Sequence, residues 1–181
     1  MSTYKICDES VSKMASEIMA EVECYTAHLA AKVKIDFIFA YASRDADNFP
    51  VGSALRLHGA AATGICRILP IKQRQIGRGD AEISLDGDWW SEASREQQRA
   101  LLDHEMYHII VRQKNGVILR DIAGRPLLRM RPHDVEMGLF AACALRHGEN
   151  SRERHHARNV MKAFGQYFWP ELYKQTVKNY E

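Results

Sequence analysis

Residues 94–113 read SREQQRALLDHEMYHIIVRQ, and this stretch decides the fold. Ser94 precedes Gln97 by three residues, which is the spacing of a capping box at the start of a helix. Apolar residues then recur until the Asn-Gly pair at 115–116 interrupts the pattern. The stretch therefore predicts one helix over residues 95–113, with its apolar side in the core.

A motif suited to metal binding, made of His104, Glu105 and His108, lies near the middle of this helix. An α-helix advances 100° per residue, so two side chains four positions apart share a face and can hold one ion. A carboxylate beside that ion can take a proton from a bound water and pass it to a leaving amine. Histidines at this spacing also occur on ordinary amphipathic helices. At a partly buried site, however, each unpaired polar group costs about 1–3 kcal/mol. The HExxH spacing therefore favours a catalytic zinc ion.

A catalytic zinc ion usually takes three protein ligands and keeps one position for water. The segment Pro-His-Asp-Val-Glu at residues 132–136 offers two candidates for the third ligand. We favour His133, which lies just before a predicted helix over residues 134–146. Glu136 is the alternative, although an acid in the first turn of a helix is also stabilised there by the helix dipole.

Length and composition describe an ordinary globular chain. The 181 residues are 46% hydrophobic and 27% charged, which suits a single domain over residues 1–181. No apolar run approaches the roughly 20 residues of a membrane span, and the first residues lack a signal-peptide pattern. We therefore expect a soluble, cytoplasmic protein without a membrane partner. The four cysteines have no CxxC spacing, which argues against a disulfide framework or a thiolate zinc site.

Hydrophobic periodicity predicts a mixture of helices and strands around the motif. Further helices are expected over residues 9–32 and within the tail 151–181, and further strands over 34–39, 64–69, 81–85, 117–120 and 126–130. The strand 81–85 precedes the motif helix, and we interpret it as an edge strand that could hold an extended peptide substrate. An internal strand without a free edge is the alternative.

The chain resembles a known family over residues 81–148. The resemblance rests on LLDHEMYH at 101–108, the Arg-rich hairpin that follows, and RPHDVE at 131–136. These features resemble the phage metallopeptidases of bacteriophage and prophage genomes and, more distantly, the SprT-like zinc proteases. Where the phage family has a second acid and an aromatic residue, this chain has Met137 and Gly138.

The resemblance implies an α+β fold of the small zincin type, with helices packed on a short, mostly antiparallel sheet. It also implies one zinc ion and peptide-bond hydrolysis. His104 and His108 match the paired ligands, Glu105 the general base, and His133 the third ligand. We expect an endopeptidase encoded by a phage or prophage and acting on peptides or proteins in the bacterial host cell.

Several supporting roles stay open at this level. Tyr107, Tyr41, Arg131 and His147 are all candidates for stabilising the oxyanion, and Asp103 or Asp134 could accept a hydrogen bond from a ligand histidine. The competing hypothesis is a non-catalytic, zinc-stabilised protein that binds DNA or a host protein. It rests on three groups of basic residues: Arg67, Lys72, Arg74 and Arg78; Arg120, Arg125, Arg129 and Arg131; and Arg152, Arg154, His155, His156 and Arg158.

Overall fold

Helices and short strands alternate along the chain in the computed structural model, which describes residues 2–133 and 140–164. The helices described are α1 (Glu9–Glu21), α2 (Thr26–Ala31), α3 (Ile71–Gln75), α4 (Gly87–Glu92), α5 (Arg95–Tyr107), α6 (Ala141–His147) and α7 (Arg152–Phe164). The strands described are β1 (Thr3–Ile6), β2 (Ile35–Tyr41), β3 (Ser43–Arg44), β4 (Pro50–Val51), β5 (Leu55–Leu57), β6 (Ala60–Ala62), β7 (Gly64–Ile68), β8 (Ala81–Asp86), β9 (Ile109–Val111), β10 (Gln113–Lys114), β11 (Val117–Ile118) and β12 (Leu128–Met130). Among the described residues, no helix has both the length and the apolar character that crossing a membrane requires.

The central sheet has the strand order β1-β2-β8-β7. The inner strands β2 and β8 run parallel, whereas β1 and β7 each run antiparallel to their neighbour. The strands predicted over residues 34–39 and 64–69 are confirmed as β2 and β7, with slightly shifted ends. The protein therefore has the predicted α+β character, with a small mixed sheet in which two of the three pairings are antiparallel.

The prediction of residues 81–85 as an edge strand is wrong. These residues form most of β8, which pairs with β2 on one side and with β7 on the other. The apolar-polar alternation of these residues does not distinguish an edge strand from an inner one. Glu82 itself is buried: its carboxylate is only 3% exposed, and the guanidinium groups of Arg67 and Arg78 each lie 2.6 Å from it. The edge strand next to α5 is β7.

The core lies between this sheet and the helices α1 and α5. Val11, Met14 and Ile18 of α1 belong to one buried cluster with Leu102 of α5 and Ile83 of β8. This packing fixes α5 against the sheet and so determines which way its last turn points.

The single helix predicted over residues 9–32 is instead divided into α1, a 3₁₀ turn (Glu23–Tyr25) and α2. Val22 leaves the helical conformation at the end of α1. Tyr25 ends the 3₁₀ turn and lies in the core, where its hydroxyl donates a 2.5 Å hydrogen bond to the Asp103 carboxylate. Because Tyr25 follows the buried Ile18 by seven residues, it still fits the helical period, which explains why periodicity alone missed the break.

The motif helix also differs from its prediction. The capping box of Ser94 and Gln97 is confirmed, but α5 ends at Tyr107 rather than at residue 113. Residues 109–111 form β9, which pairs antiparallel with β12. The three residues are β-branched, and an apolar β-branched run fits a buried strand as well as a helix.

The hairpin predicted from residues 117–120 and 126–130 forms only in part. The two segments meet at one bridge between Arg120 and Pro126, while β11 pairs with β10 and β12 pairs with β9. The chain does return towards α5 as expected, because β12 leads directly to His133.

Two further predictions concern the remainder of the chain. Residues 134–139, which include Glu136 and Asp134, lie outside the described residues, and α6 forms the end of the helix predicted there. The predicted tail helix appears as α7, and its continuation beyond residue 164 also lies outside them.

Candidate metal centre

The last turn of α5 carries two of the motif residues. His104 is 4% exposed and Glu105 is 2% exposed, and both lie on the part of the helix that faces the core. His108 is the first residue after the helix, but its backbone is still right-handed helical. The expected one-turn spacing is therefore kept, and the imidazole centroids of His104 and His108 lie 5.3 Å apart.

The hairpin strand β12 brings the third predicted histidine to the same place. The His133 imidazole centroid lies 5.2 Å from that of His104 and 4.5 Å from that of His108. One nitrogen from each of the three rings lies within 4.8 Å of the others. The structure thus brings together the three histidines proposed as ligands from the sequence.

The hydrogen bonds of two of these histidines fix which nitrogen faces the centre. Nδ1 of His104 lies 2.6 Å from Oε1 of Glu153, and Nδ1 of His108 lies 2.9 Å from the carbonyl oxygen of Arg131. A carboxylate and a carbonyl can only accept, so in each ring Nδ1 carries the proton. The Nε2 atoms of His104 and His108 are then left with a lone pair, as metal coordination requires.

Burial supports the neutral form of His108. Loss of solvent lowers its pKa to about 4 and outweighs the opposing effect of the hydrogen bond to Arg131. An imidazole that stays uncharged at neutral pH is available as a ligand without first losing a proton.

Phe140 forms one wall of the site. Its ring is fully buried, and its centroid lies 4.9, 4.8 and 4.7 Å from those of His104, His108 and His133. It also packs edge-on against Tyr107 at 5.0 Å. No sequence pattern predicted this contact, which holds the three imidazoles against one rigid apolar surface.

Glu105 lies between α5 and the edge strand β7. Burial raises the pKa of its carboxyl to about 7, although the nearby His104 and a hydrogen bond from the Cys66 peptide N–H act in the opposite direction. Gly64 provides the space for this side chain, since a Cβ there would lie 2.5 Å from Oε1 of Glu105. A carboxyl with a pKa near neutrality can both accept and release a proton under physiological conditions.

None of the described hydrogen bonds of Asp103 involves a proposed ligand histidine. It is fully buried and accepts hydrogen bonds from Tyr25, Arg146 and His147. Burial raises its pKa, but these three hydrogen bonds outweigh that effect and lower the value to about 2. Asp103 therefore joins α5 to α6. His147, one candidate for oxyanion stabilisation, belongs to this network.

The partner of a ligand histidine is instead Glu153, in the first turn of α7. From the sequence this residue was predicted only to lie in the tail helix. The sequence signal for a helix start here was an acid two residues after Ser151. In the structure, the Ser151 hydroxyl accepts a hydrogen bond from the Arg154 N–H. That signal predicts the start of a helix but not where the acid points.

A second group of potential ligands shares one member with the first. His104, Cys143 and Glu153 also have ligand atoms within 4.8 Å of one another, and all three are buried. Burial raises the pKa of the Cys143 thiol, which disfavours the thiolate form that binds metal. The three histidines are therefore the better donor set.

The spacing of His104 and His133 matches that of two ligands of one zinc ion. Nε2 of His104 and Nε2 of His133 lie 3.3 Å apart. Two imidazole nitrogens bound to one tetrahedral zinc ion at about 2.0–2.1 Å are separated by about 3.3–3.4 Å. The donor set is also chemically suitable, because zinc prefers neutral imidazole nitrogens and leaves a fourth position for water.

Six of the eleven Arg and Lys residues that suggested nucleic-acid contact form ion pairs. Arg74 and Arg125 both contact Asp80 at 2.9 Å, Arg78 contacts Asp36 at 2.8 Å, and Arg67 contacts Glu82. Arg154 and Arg158 share Glu149, and His155 and His156 are exposed, as expected from their adjacent positions. Among the described residues, these contacts give no support to a nucleic-acid surface.

Comparison with known proteins gives one match. A family model described as "Putative phage metallopeptidase" matches residues 3–167. No curated protein and no solved structure matches the chain significantly. The more distant similarity to SprT-like proteases therefore stays a prediction. The family description implies a metal ion, hydrolase activity and peptide or protein substrates. Because the match extends over most of its length, the chain belongs to this phage metallopeptidase family.

Proposed function

We propose that the protein is a zinc-dependent endopeptidase that holds one ion with His104, His108 and His133 and uses Glu105 as its general base. The observation that carries this proposal is the convergence of three imidazoles beside a buried carboxyl group. A zinc ion bound there supplies Lewis acidity, which lowers the pKa of water to about 7 and polarises the peptide carbonyl.

Hydrogen bonds hold His104 and His108, and the Phe140 ring contacts all three histidines. The Nδ1 protons of His104 and His108 are held by Glu153 and by the Arg131 carbonyl, so both Nε2 atoms are directed to one place. The Phe140 ring excludes water from one side of the imidazoles. These supports keep the ligands in position before substrate binds, which favours catalysis because little reorganisation is then needed.

Glu105 transfers a proton from water to the leaving amine in the proposed reaction. One of its oxygens takes a proton from the attacking water molecule and later delivers it to the nitrogen of the leaving amine. A pKa near 7 suits both transfers, since the carboxyl then gains and loses a proton with similar ease. General acid–base assistance of this kind contributes about 10²–10⁴-fold in rate.

In this proposal the peptide substrate binds along the edge of β7. Among the described strands only β8 pairs with β7, and the residues Gly64 and Cys66 adjoin Glu105. An extended peptide that adds to this edge would bring its backbone next to the general base. The proposal therefore moves the substrate strand from residues 81–85 to β7.

The proposal is tested by metal content and peptide hydrolysis measured on the same preparations. Wild type should contain one zinc ion per chain by plasma mass spectrometry. His104→Ala should lose it, and His156→Ala, which alters an exposed histidine, should retain it. His133→Ala and Glu136→Ala compare the two candidates for the third ligand. We expect only His133→Ala to weaken zinc binding.

Glu105→Gln separates chemistry from metal binding. It should keep its zinc and its fold, while cleavage of a quenched-fluorescent protein substrate falls by about 10²–10⁴-fold. Undiminished cleavage would remove Glu105 from the mechanism. A zinc-loaded wild type that cleaves no protein substrate would instead favour the non-catalytic, zinc-stabilised alternative.

A further inference from the structure

The Glu153 side chain of helix α7 reaches the metal centre. Glu153 is 3% exposed and its Oε1 lies 2.6 Å from Nδ1 of His104, across 49 residues of sequence. The start of α7 is itself held in place, because Ser151 is fully buried and caps the helix by accepting a hydrogen bond from the Arg154 N–H. The direction of the Glu153 side chain is thus set by the helix start.

We propose that Glu153 is the positioning residue of the metal centre: its carboxylate fixes the tautomer and ring orientation of His104 and strengthens Nε2 as a donor. This inference rests on the proposed function, in which His104 binds zinc through Nε2. Carboxylate partners of metal-bound histidines generally act in this way, and their removal costs about 10–100-fold in metal affinity.

A purely structural role for Glu153 explains less. An acid in the first turn of a helix is stabilised by the helix dipole, but that benefit does not require burial. Glu149, close by in the chain, illustrates the ordinary case: it is about half exposed and pairs with Arg154 and Arg158 at the surface. Glu153 is removed from solvent, and its contact with His104 through Oε1 offsets part of that cost.

The other supported histidine offers an internal comparison. Nδ1 of His108 donates to the neutral carbonyl of Arg131, whereas Nδ1 of His104 donates to a charged carboxylate. Hydrogen bonds to charged acceptors are the stronger kind, so the two histidines differ in how firmly they are held. A change at residue 153 should therefore alter His104 and leave His108 as it is.

Zinc affinity tests the inference directly. The full-length chain is titrated with zinc in competition with a chromophoric chelator, for wild type, Glu153→Gln and the matched control Glu149→Gln. We expect the Kd for zinc to rise by about 10–100-fold in Glu153→Gln and to stay at the wild-type value in Glu149→Gln. A Kd within twofold of wild type in a folded Glu153→Gln protein would overturn the inference while leaving the proposed function intact. A wild type that binds no zinc would overturn both.

A spectroscopic measurement covers the case in which Glu153→Gln does not fold. In zinc-loaded wild type with ¹⁵N-labelled histidine, His104 should carry its proton on Nδ1, with an exchange-protected, downfield proton signal. In a folded Glu153→Gln protein this signal should move upfield while that of His108 stays in place. If only wild type can be measured, coordination of zinc through Nδ1 of His104 would refute the assignment.

Discussion

Replacing Gly64 by alanine should disable the proposed general base while leaving the metal ligands in place. The new Cβ would lie 2.5 Å from Oε1 of Glu105 and 2.8 Å from its Cδ and Cγ. Ordinary contacts of this kind begin at about 3.5 Å, so the carboxylate must retreat by about 1 Å. Gly64 does not adopt a left-handed backbone angle, so alanine itself causes no strain there.

A displacement of about 1 Å at a reacting group can cost about 100-fold in rate. We therefore expect kcat/KM for a fluorogenic protein substrate to fall by about 100-fold in Gly64→Ala, with zinc content unchanged. Overpacking of this size costs about 1–3 kcal/mol of unfolding free energy, which a folded domain tolerates. Denaturant unfolding measures that cost on the same sample.

The control is Gly79→Ala, which crowds the backbone carbonyl of Lys34 beyond the opposite end of β8. It should cost comparable stability but keep wild-type kcat/KM per folded molecule. Wild-type cleavage by Gly64→Ala would refute the reasoning, because it would mean that Glu105 does not need its present position. Equal losses of activity in both variants would assign the effect to stability instead.

Three further predictions concern the surroundings of the site. Phe140→Ala removes the ring that contacts all three imidazoles and should lower the unfolding free energy by about 3–5 kcal/mol in urea titrations, with weaker zinc binding by chelator competition. Asp103→Asn loses the charge that holds Arg146 and His147 and should cost about 1.5–3 kcal/mol, measured the same way, without loss of zinc. Zinc at about 1,000 times its Kd should stabilise wild type by about 4 kcal/mol in thermal denaturation. It should leave the Tm of His104→Ala unchanged, and equal Tm shifts in the two proteins would contradict the ligand assignment.

Local patterns predicted the elements whose causes are local. The capping box, the start of α5 and the one-turn spacing of His104 and His108 depend on residues only a few positions apart. The strands β2 and β7 likewise follow from their own apolar composition. The prediction of His133 as the third ligand had a less direct basis. It came from the number of ligands that zinc needs and from the resemblance to known metallopeptidases.

The errors arose where distant residues decide the structure. Residues 109–111 continue the apolar pattern of the helix, but pairing with β12 makes them a strand. Residues 81–85 were predicted as an edge strand, but pairing with β2 and β7, from other parts of the chain, makes them an inner strand. Glu153 and Phe140 contact the histidines only because α6 and α7 fold back onto α5. No spacing in the sequence encodes these contacts.

The pairing of His108 with Arg131 limits where residues can be inserted into or deleted from this chain. Arg131 donates its N–H to the His108 carbonyl and accepts from the His108 ring, so it continues the pairing of β9 with β12 by one step. A slip of one residue would place Pro132, which has no N–H, opposite His108. Insertions or deletions within β9 or β12 should therefore abolish the centre. The exposed Asn115-Gly116 tip of the β10–β11 turn lies beyond this pairing and is where residues can be added or removed without altering the ligands.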